Sequence, residues 1–340
     1  MSPAGRIGKV WPPDHGRWPP GEARCFIDMP LNTSPPTANV AALAALAALA
    51  EKRRCAEAAV LRAGMKRAAA CGRVVAVHGE DRELTRRLAA EASAAGRTLV
   101  RDYLDSRPVQ AELNAIAWAT ELAGQTGCPL HIVHVSSPEG LAMIASARAA
   151  AVEVTAETCP HYLLFNDKDG ERTGALAKCA PPLRDEVRRL AMWQALAAGA
   201  VQTIGTDHSP APMELKESAD FFNLWGGMAG CQHGFPLTIA AGLQDHGLTA
   251  AELSPLLSGN VAARFGLAGR KGRIAVNHEA DLVFLRNDVA DRIVPEALLT
   301  RHPLSAYTGL SNRCRVVRGQ TVWPLPEGTR ARGGRWLRPA

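Results

Sequence analysis

Three apolar runs in this 340-residue chain each end in a side chain that can bind a metal or move a proton. Residues 74–78 read VVAVH, residues 130–134 read LHIVH and residues 201–207 read VQTIGTD. Short runs rich in β-branched residues predict buried strands, and helix-like sequence follows each of the three. This alternation of strand and helix favours a parallel sheet covered by helices.

The polar residues that close these runs are His78, His134 and Asp207. In a (β/α)8 barrel all strands end at one face, and the active site lies at that face. Two imidazoles and a carboxylate gathered there suit a divalent metal, with Zn²⁺ as the first choice. Taken singly, each histidine could be a packing residue, and Asp207 could cap the Ser-Pro turn that follows it.

The predicted fold is therefore α/β, a (β/α)8 TIM-type barrel. A doubly wound sheet is the alternative, but no G-x-G-x-x-G motif follows a predicted strand. We expect an irregular segment at residues 1–24, where Pro, Gly and charge are frequent, and a barrel at residues 25–271. Short β-type runs between Gly and Asn predict a small β module and tail at residues 272–340.

Composition limits the possible partners of the chain. The net charge of +6 comes mainly from arginines near the C-terminus, without interleaved aromatic residues, so we expect no nucleic-acid partner. The eight cysteines include no C-x-x-C pair, and the first residues lack an apolar signal segment, which predicts free thiols and a cytoplasmic location. The Ala-rich stretch at residues 40–50 is too short to span a membrane.

Several ordered motifs resemble those of the cyclic amidohydrolases, over roughly residues 25–320. They are MPLNTSPPT (29–37), HIVHVSS (131–137), ETCPHYL (157–163), KCAPPLR (178–184), TDHSP (206–210), WGGMAG (225–230) and GRKGRIAVNHEADLVFL (269–285). Within that family, the leucine in MPLNTSPPT favours the allantoinases over the dihydroorotases, whose usual motif is a tighter Met-Pro-Asn-Thr.

The resemblance implies a metal-dependent hydrolase that opens a small cyclic ureide, with allantoin to allantoate as the expected reaction. Dihydroorotase-like or hydantoinase-like ring opening is the alternative. His78 and His134 match single histidine ligands of the family. Asp207 matches its last metal ligand, which also acts as general base and then protonates the leaving nitrogen. Ala180 and Gly226 match positions where relatives bind the ring through main-chain groups.

Two expected parts of the family's metal site are missing from this sequence. Relatives carry a His-x-His strand end and a carboxylated lysine that bridges two metals, but the chain contains no His-x-His. Lys52 and Lys66, the lysines in the relevant interval, lie in helix-like sequence. We therefore expect a barrel that is incomplete at its N-terminal strands, with open sheet edges that a homo-oligomer would cover. A catalytically impaired relative, acting as scaffold or partner subunit, is the alternative function.

Overall fold

The computed structural model describes residues 58–279, 283–286, 291–313 and 315–318. The segment 1–24, the MPLN motif and Lys52 lie outside these described residues. In chain order the elements are α1 (Ala58–Ala70), β1 (Val75–His78), α2 (Arg82–Ala94), α3 (Val100–Asp105), α4 (Val109–Thr126), β2 (Leu130–Val133), α5 (Pro138–Ala149), β3 (Val154–Thr158), α6 (Pro160–Leu164), α7 (Asp167–Thr173), α8 (Glu186–Ala197), β4 (Thr203–Ile204), α9 (Gly234–Gln244), α10 (Ala250–Ser254), α11 (Asn260–Arg264), β5 (Val283–Arg286), β6 (Asp291–Arg292), β7 (Ser311–Asn312) and β8 (Arg315–Arg318).

Strands β1 to β4 form one parallel sheet in the order β1-β2-β3-β4. Helices occupy each connection between neighbouring strands, as a parallel sheet requires. The spatial order follows the chain order without reversal, whereas a doubly wound sheet changes direction at a switch point. The described sheet thus has the strand order of a barrel segment, which agrees with the predicted fold class.

The two faces of this sheet have different chemistry. One face presents side chains such as Leu130, Ile132 and Val154, which are buried in a common core with residues of α1, α4, α5 and α8. Strand register places His131 on the opposite face, where its Nδ1 lies 2.7 Å from the hydroxyl of Thr155. The helices pack against the apolar face, and His131 and Thr155 lie on the opposite face.

Local boundaries differ from the sequence-based expectations in two places. The segment 159–182 lacks apolar periodicity, and the sequence predicts a loop there. It contains α6 and α7 instead, because Pro160 starts the first helix and Asn166 caps the second with a capping box. The strand predicted to end at Asp207 ends at Ile204, since the chain turns through Gly205 and Thr206 before the aspartate.

The C-terminal part contains short antiparallel strands, as the sequence predicts. Strand β5 pairs with β8, and β6 pairs with β7. Tyr307 and Ile293 from this part are buried in a cluster with Tyr162 and Phe165 beyond the strand ends. The domain boundaries at 24 and 271 remain a prediction. None of the helices in the described ranges is long and apolar enough to cross a membrane.

Replacement of Ile132 by alanine should lower the free energy of unfolding by about 2–5 kcal/mol, because it opens a cavity behind the central strand β2. Ile132 is 1% exposed, while Ile274 is 91% exposed and provides the matched control. Urea unfolding should show a change below about 0.5 kcal/mol for Ile274→Ala. Equal effects of the two substitutions would contradict this assignment of the core.

Candidate active site

The parallel register of β1 and β2 brings His78 and His134 together. His78 is the last residue of β1 and pairs with Val133, so His134 follows directly beside it. Nδ1 of His78 lies 2.9 Å from Nε2 of His134, and the ring centroids are 4.7 Å apart. Two histidines separated by 56 residues in the chain therefore form one pair of adjacent imidazoles.

The backbone at two of the predicted site residues has an unusual conformation. His134 has φ = 43° and Asp207 has φ = 45°, in the left-handed region that non-glycine residues seldom occupy. Such backbone strain is concentrated at functional sites, where the surrounding fold maintains it. Both residues stand just past the end of a strand, at the face where a parallel barrel places its active site.

Burial keeps the His134 imidazole neutral. His134 is 7% exposed, and its burial, together with neighbouring His78, lowers its pKa to about 4 although Asp207 acts in the opposite direction. Its Nδ1 is buried and has no hydrogen-bond partner in the described part of the chain. A neutral imidazole with a lone pair is the form that binds metal ions.

The Asp207 carboxylate acts electrostatically on His134 of this pair. Its charge raises the pKa of His134 against the effect of burial, and it adds to burial in raising the pKa of the Cys159 and Cys179 thiols. Asp207 is half-buried, and its side chain makes no hydrogen bond to any described residue. Its oxygens are therefore available to accept a proton or bind a cation.

Glu80 completes the surroundings of His78 and was not singled out from the sequence. Its side chain is 2% exposed, and its Oε2 lies 3.1 Å from Nε2 of His78 and pairs with the Arg107 guanidinium. Burial alone would raise the pKa of Glu80, but Arg107 and the hydrogen bond from His78 lower it to about 2. An ionised carboxylate only accepts hydrogen bonds, so Nε2 of His78 donates to Glu80, and in the neutral ring Nδ1 then presents a lone pair. The sequence signal was an acidic residue two positions after a candidate histidine.

A second buried carboxylate holds the chain after His134. Glu112 is 1% exposed and accepts hydrogen bonds from Ser136 N at 2.7 Å, from Ser136 Oγ at 3.0 Å and from the Ser137 hydroxyl. Arg184 donates through Nε to Ser136 Oγ at 3.0 Å and through Nη1 to the Arg107 carbonyl at 2.6 Å. This network joins the segment after β2 to the arginine that pairs with Glu80.

Ala180 and Gly226 lie on two neighbouring loops. Gly227 N donates to the Lys178 carbonyl at 2.7 Å and so joins the loop after α7 to the loop after β4. Neither Ala180 nor Gly226 hydrogen-bonds to another described residue, and both are half-buried. A Cβ added to Gly226 would meet nothing within 4 Å. The main-chain groups at these two positions are thus free to bind a ligand.

The other histidines and cysteines near these loops have structural contacts or are buried. His208 Nδ1 accepts hydrogen bonds from the backbone of Gly230 at 3.1 Å and Cys231 at 3.3 Å, which supports the loop. Burial lowers the pKa of His161 to about 3 and raises that of Cys179 to about 12, which makes a thiolate nucleophile unfavourable. The cysteines of the described ranges are free thiols: Cys71, Cys128, Cys159, Cys179 and Cys231.

The donor set at this face fits a divalent cation in part. Nδ1 of His78 and Nε2 of His134 are adjacent, and the charge of Asp207 acts on His134. Among the residues that the structure describes, no group of three or more His, Cys, Asp or Glu side chains is placed to hold a metal ion. The described part of the site therefore offers two nitrogen ligands with one candidate oxygen ligand, which is fewer than a closed metal site uses.

Comparison with known proteins places this geometry in a family. The model of the amidohydrolase family matches residues 36–322. An allantoinase of Rubrobacter xylanophilus is 47% identical over 280 residues, which are 81% of this chain and 62% of that protein. An allantoinase of Solibacter usitatus is 39% identical over 365 positions, covering 94% of this chain and 80% of the relative.

Solved structures show the same fold. The L-hydantoinase (dihydropyrimidinase) of Arthrobacter aurescens has a TM-score of 0.77 and 29% identity, over 79% of this chain and 61% of that protein. This chain thus spans about three fifths of the length of several relatives that it matches. The fold class is that of the TIM-type barrels in which these enzymes are built, and the family is in general metal-dependent. The chain belongs to the amidohydrolase family.

Proposed function

We propose that this chain hydrolyses the ring amide of a cyclic ureide, most closely allantoin to allantoate, in purine breakdown. The observation that carries the proposal is the pair of adjacent imidazoles at the strand ends of an amidohydrolase, on which the Asp207 carboxylate acts without a hydrogen-bond partner among the described residues. The allantoinase relatives are 39–47% identical, against 29% for the hydantoinase structure, which favours allantoin over a hydantoin as substrate. The cytoplasmic location and the homo-oligomer remain predictions from the sequence.

Each of the residues of the site has a separate role in this reaction. His78 and His134 would hold a divalent ion, Zn²⁺ first. Asp207 would be the third ligand, although the described structure does not place the three side chains as one metal-binding group. When bound, such an ion supplies an activated water and polarises the ring carbonyl. Asp207 accepts the proton of the attacking water and passes it to the ring nitrogen that leaves. Glu80 keeps the proton of His78 on Nε2, so that its Nδ1 remains a ligand.

The free main-chain groups of Ala180 and Gly226 suit the substrate. A cyclic ureide carries alternating N–H and C=O groups, which pair well with a backbone carbonyl and a backbone N–H. The open space over Gly226 allows a flat ring to approach the backbone closely. We therefore assign Ala180 and Gly226 to orientation of the ring.

A scaffold or partner subunit without activity is the second candidate function. The missing His-x-His and bridging lysine favour it, as does the alignment with the Solibacter usitatus relative. That alignment spans 365 positions, more than the 340 residues of this chain, so the relative has residues that this chain lacks. Elemental analysis of the purified chain, combined with an allantoin assay in added Zn²⁺, Mn²⁺ or Co²⁺, separates the two. Bound metal together with turnover supports the enzyme, whereas the absence of both supports the scaffold.

Asp207→Asn should reduce kcat for allantoin by about 10²–10⁴-fold with little change in KM, because the amide cannot accept the proton of water. Asparagine tolerates the left-handed backbone at this position, so the fold should be retained. The control is Asp105→Asn, a 60% exposed carboxylate on α3. Turnover equal to the unmodified chain would exclude Asp207 as the general base.

Glu80→Gln should weaken Zn²⁺ binding by roughly 10–100-fold, because glutamine removes the charge that orients His78. The measurement is calorimetric titration of metal into the metal-free chain, which does not require activity. Glu91→Gln on the exposed side of α2 is the control and should bind as the unmodified chain does. Unchanged affinity in Glu80→Gln would show that Glu80 has no part in metal binding.

Gly226→Ala should raise KM for allantoin roughly tenfold, equivalent to about 1.4 kcal/mol, because its methyl group occupies the space left for the ring. The melting temperature should stay the same, since the added Cβ meets no protein atom. Gly269→Ala is the matched control, because its Cβ also meets nothing within 4 Å. An unchanged KM would place the substrate elsewhere.

A further inference from the structure

Lys178 is a buried lysine whose ammonium binds main-chain carbonyls. The residue is 5% exposed, and its Nζ donates to the carbonyls of Phe221 at 2.7 Å, Phe222 at 3.0 Å and Leu224 at 2.7 Å. The Nζ also lies 4.7 Å from the centre of the Tyr103 ring. The three N–H donors of the ammonium are thereby all used on one short segment.

Lys216 repeats this arrangement from within the loop itself. It is 7% exposed, and its Nζ donates to the carbonyls of Ala175 at 2.9 Å, Trp225 at 3.0 Å and Gly227 at 2.8 Å. Ala175 belongs to the loop after α7, whereas the other two carbonyls belong to the loop after β4. Lys216 therefore ties the two loops together through one charged group.

The two lysines together bind main-chain carbonyls on either side of Gly226. Five of the seven carbonyls in residues 221–227 accept a hydrogen bond from one of the two ammonium groups. Gly226 N–H and C=O are left without a partner in the described part of the chain, as are those of Ala180. Held carbonyls thus surround Gly226, and Ala180 lies two positions after Lys178 in the chain.

Burial of a lysine ammonium costs free energy, so its presence here calls for a structural explanation. Burial lowers the pKa of Lys178 to about 7 and that of Lys216 to about 8. Within the described ranges neither ammonium forms an ion pair with a carboxylate, so main-chain carbonyls provide the compensation. An apolar residue would fill the same volume without this cost, but it could not fix three carbonyl directions at once.

We propose that Lys178 and Lys216 are positioning residues that hold the loops so that the free main-chain groups of Ala180 and Gly226 face the substrate ring together. This inference rests on the proposed function. The lysines act through the backbone that they hold and do not contact the reacting atoms. They therefore determine which ring the site accepts and how tightly it binds.

The test compares the unmodified full-length chain with Lys178→Met and Lys216→Met, since methionine keeps most of the side-chain volume and loses the donors. Lys168→Met, an exposed lysine on α7, is the matched control. Steady-state kinetics with allantoin is measured together with hydrogen exchange of peptides spanning residues 221–230. Both variants should raise KM tenfold or more with a smaller change in kcat, and exchange in 221–230 should become at least tenfold faster, while the control changes neither.

Folded variants with unchanged KM and unchanged exchange would overturn the proposal, and so would loss of kcat alone. Lys216→Gln retains two donors, so it should fold even where methionine does not and should fall between the unmodified chain and Lys216→Met. An unmodified chain that neither binds nor hydrolyses allantoin would remove the proposed function. In that case unchanged exchange in 221–230 would also remove the loop-holding role, whereas faster exchange would retain it.

Discussion

The parallel ladder between β1 and β2 is the constraint on which the site depends. Its register sets His78 opposite Val133, and His134 therefore leaves the strand beside the His78 ring. A slip of one residue would turn His78 towards the apolar face, because side chains alternate between the two faces of a strand. The buried packing of Leu130 and Ile132 against the helices opposes such a slip. The core that stabilises the sheet thus also sets the spacing of the imidazoles.

The charges around the site follow one physical rule, that a buried ion needs specific partners. Glu80 is compensated by Arg107 and by His78, and Glu112 by hydrogen bonds from two serines and by the charge of Arg184. Lys178 and Lys216 instead each donate hydrogen bonds to three main-chain carbonyls. Removal of one partner from such a group leaves a buried charge unsatisfied, so these networks favour a single arrangement of the loops.

The strained backbone at His134 and Asp207 is consistent with this design. Both residues occupy the left-handed region just beyond a strand end, where the chain has to turn away from the sheet. The network from Glu112 to Ser136 and Ser137 secures the chain after His134. The bond from Ser209 N to the Met228 carbonyl, at 2.8 Å, secures the chain after Asp207. Rigid loops on either side allow the fold to maintain conformations that would be unfavourable in a free peptide.

Much of the fold could be predicted from local patterns alone. The strands that end at or beside His78 and His134, the helix starts at Asp81 and Ser137 and the turn at Gly127 all depend on neighbours in the chain, and the structure shows each of them. The strand end at Asp207 was placed three residues too late, and α6 and α7 were missed, because capping by Asn166 and the start at Pro160 lie within a stretch without apolar periodicity.

The sequence by itself determined the fold class, the family and the residues that stand at the strand ends, because these follow from short-range periodicity and ordered motifs. Only the tertiary structure decided that Glu80 and Arg107 orient His78, and that two lysines hold the loops around Gly226. Arg107 and Glu80 are 27 positions apart, and Lys178 and Leu224 are 46 positions apart. Lys216 contacts Ala175 at a separation of 41 positions, in addition to nearer carbonyls of its own loop. No local pattern predicts such contacts, because the residues adjacent in sequence do not distinguish a buried lysine from a solvent-exposed one. Only the packing of the folded chain determines which lysine is removed from water.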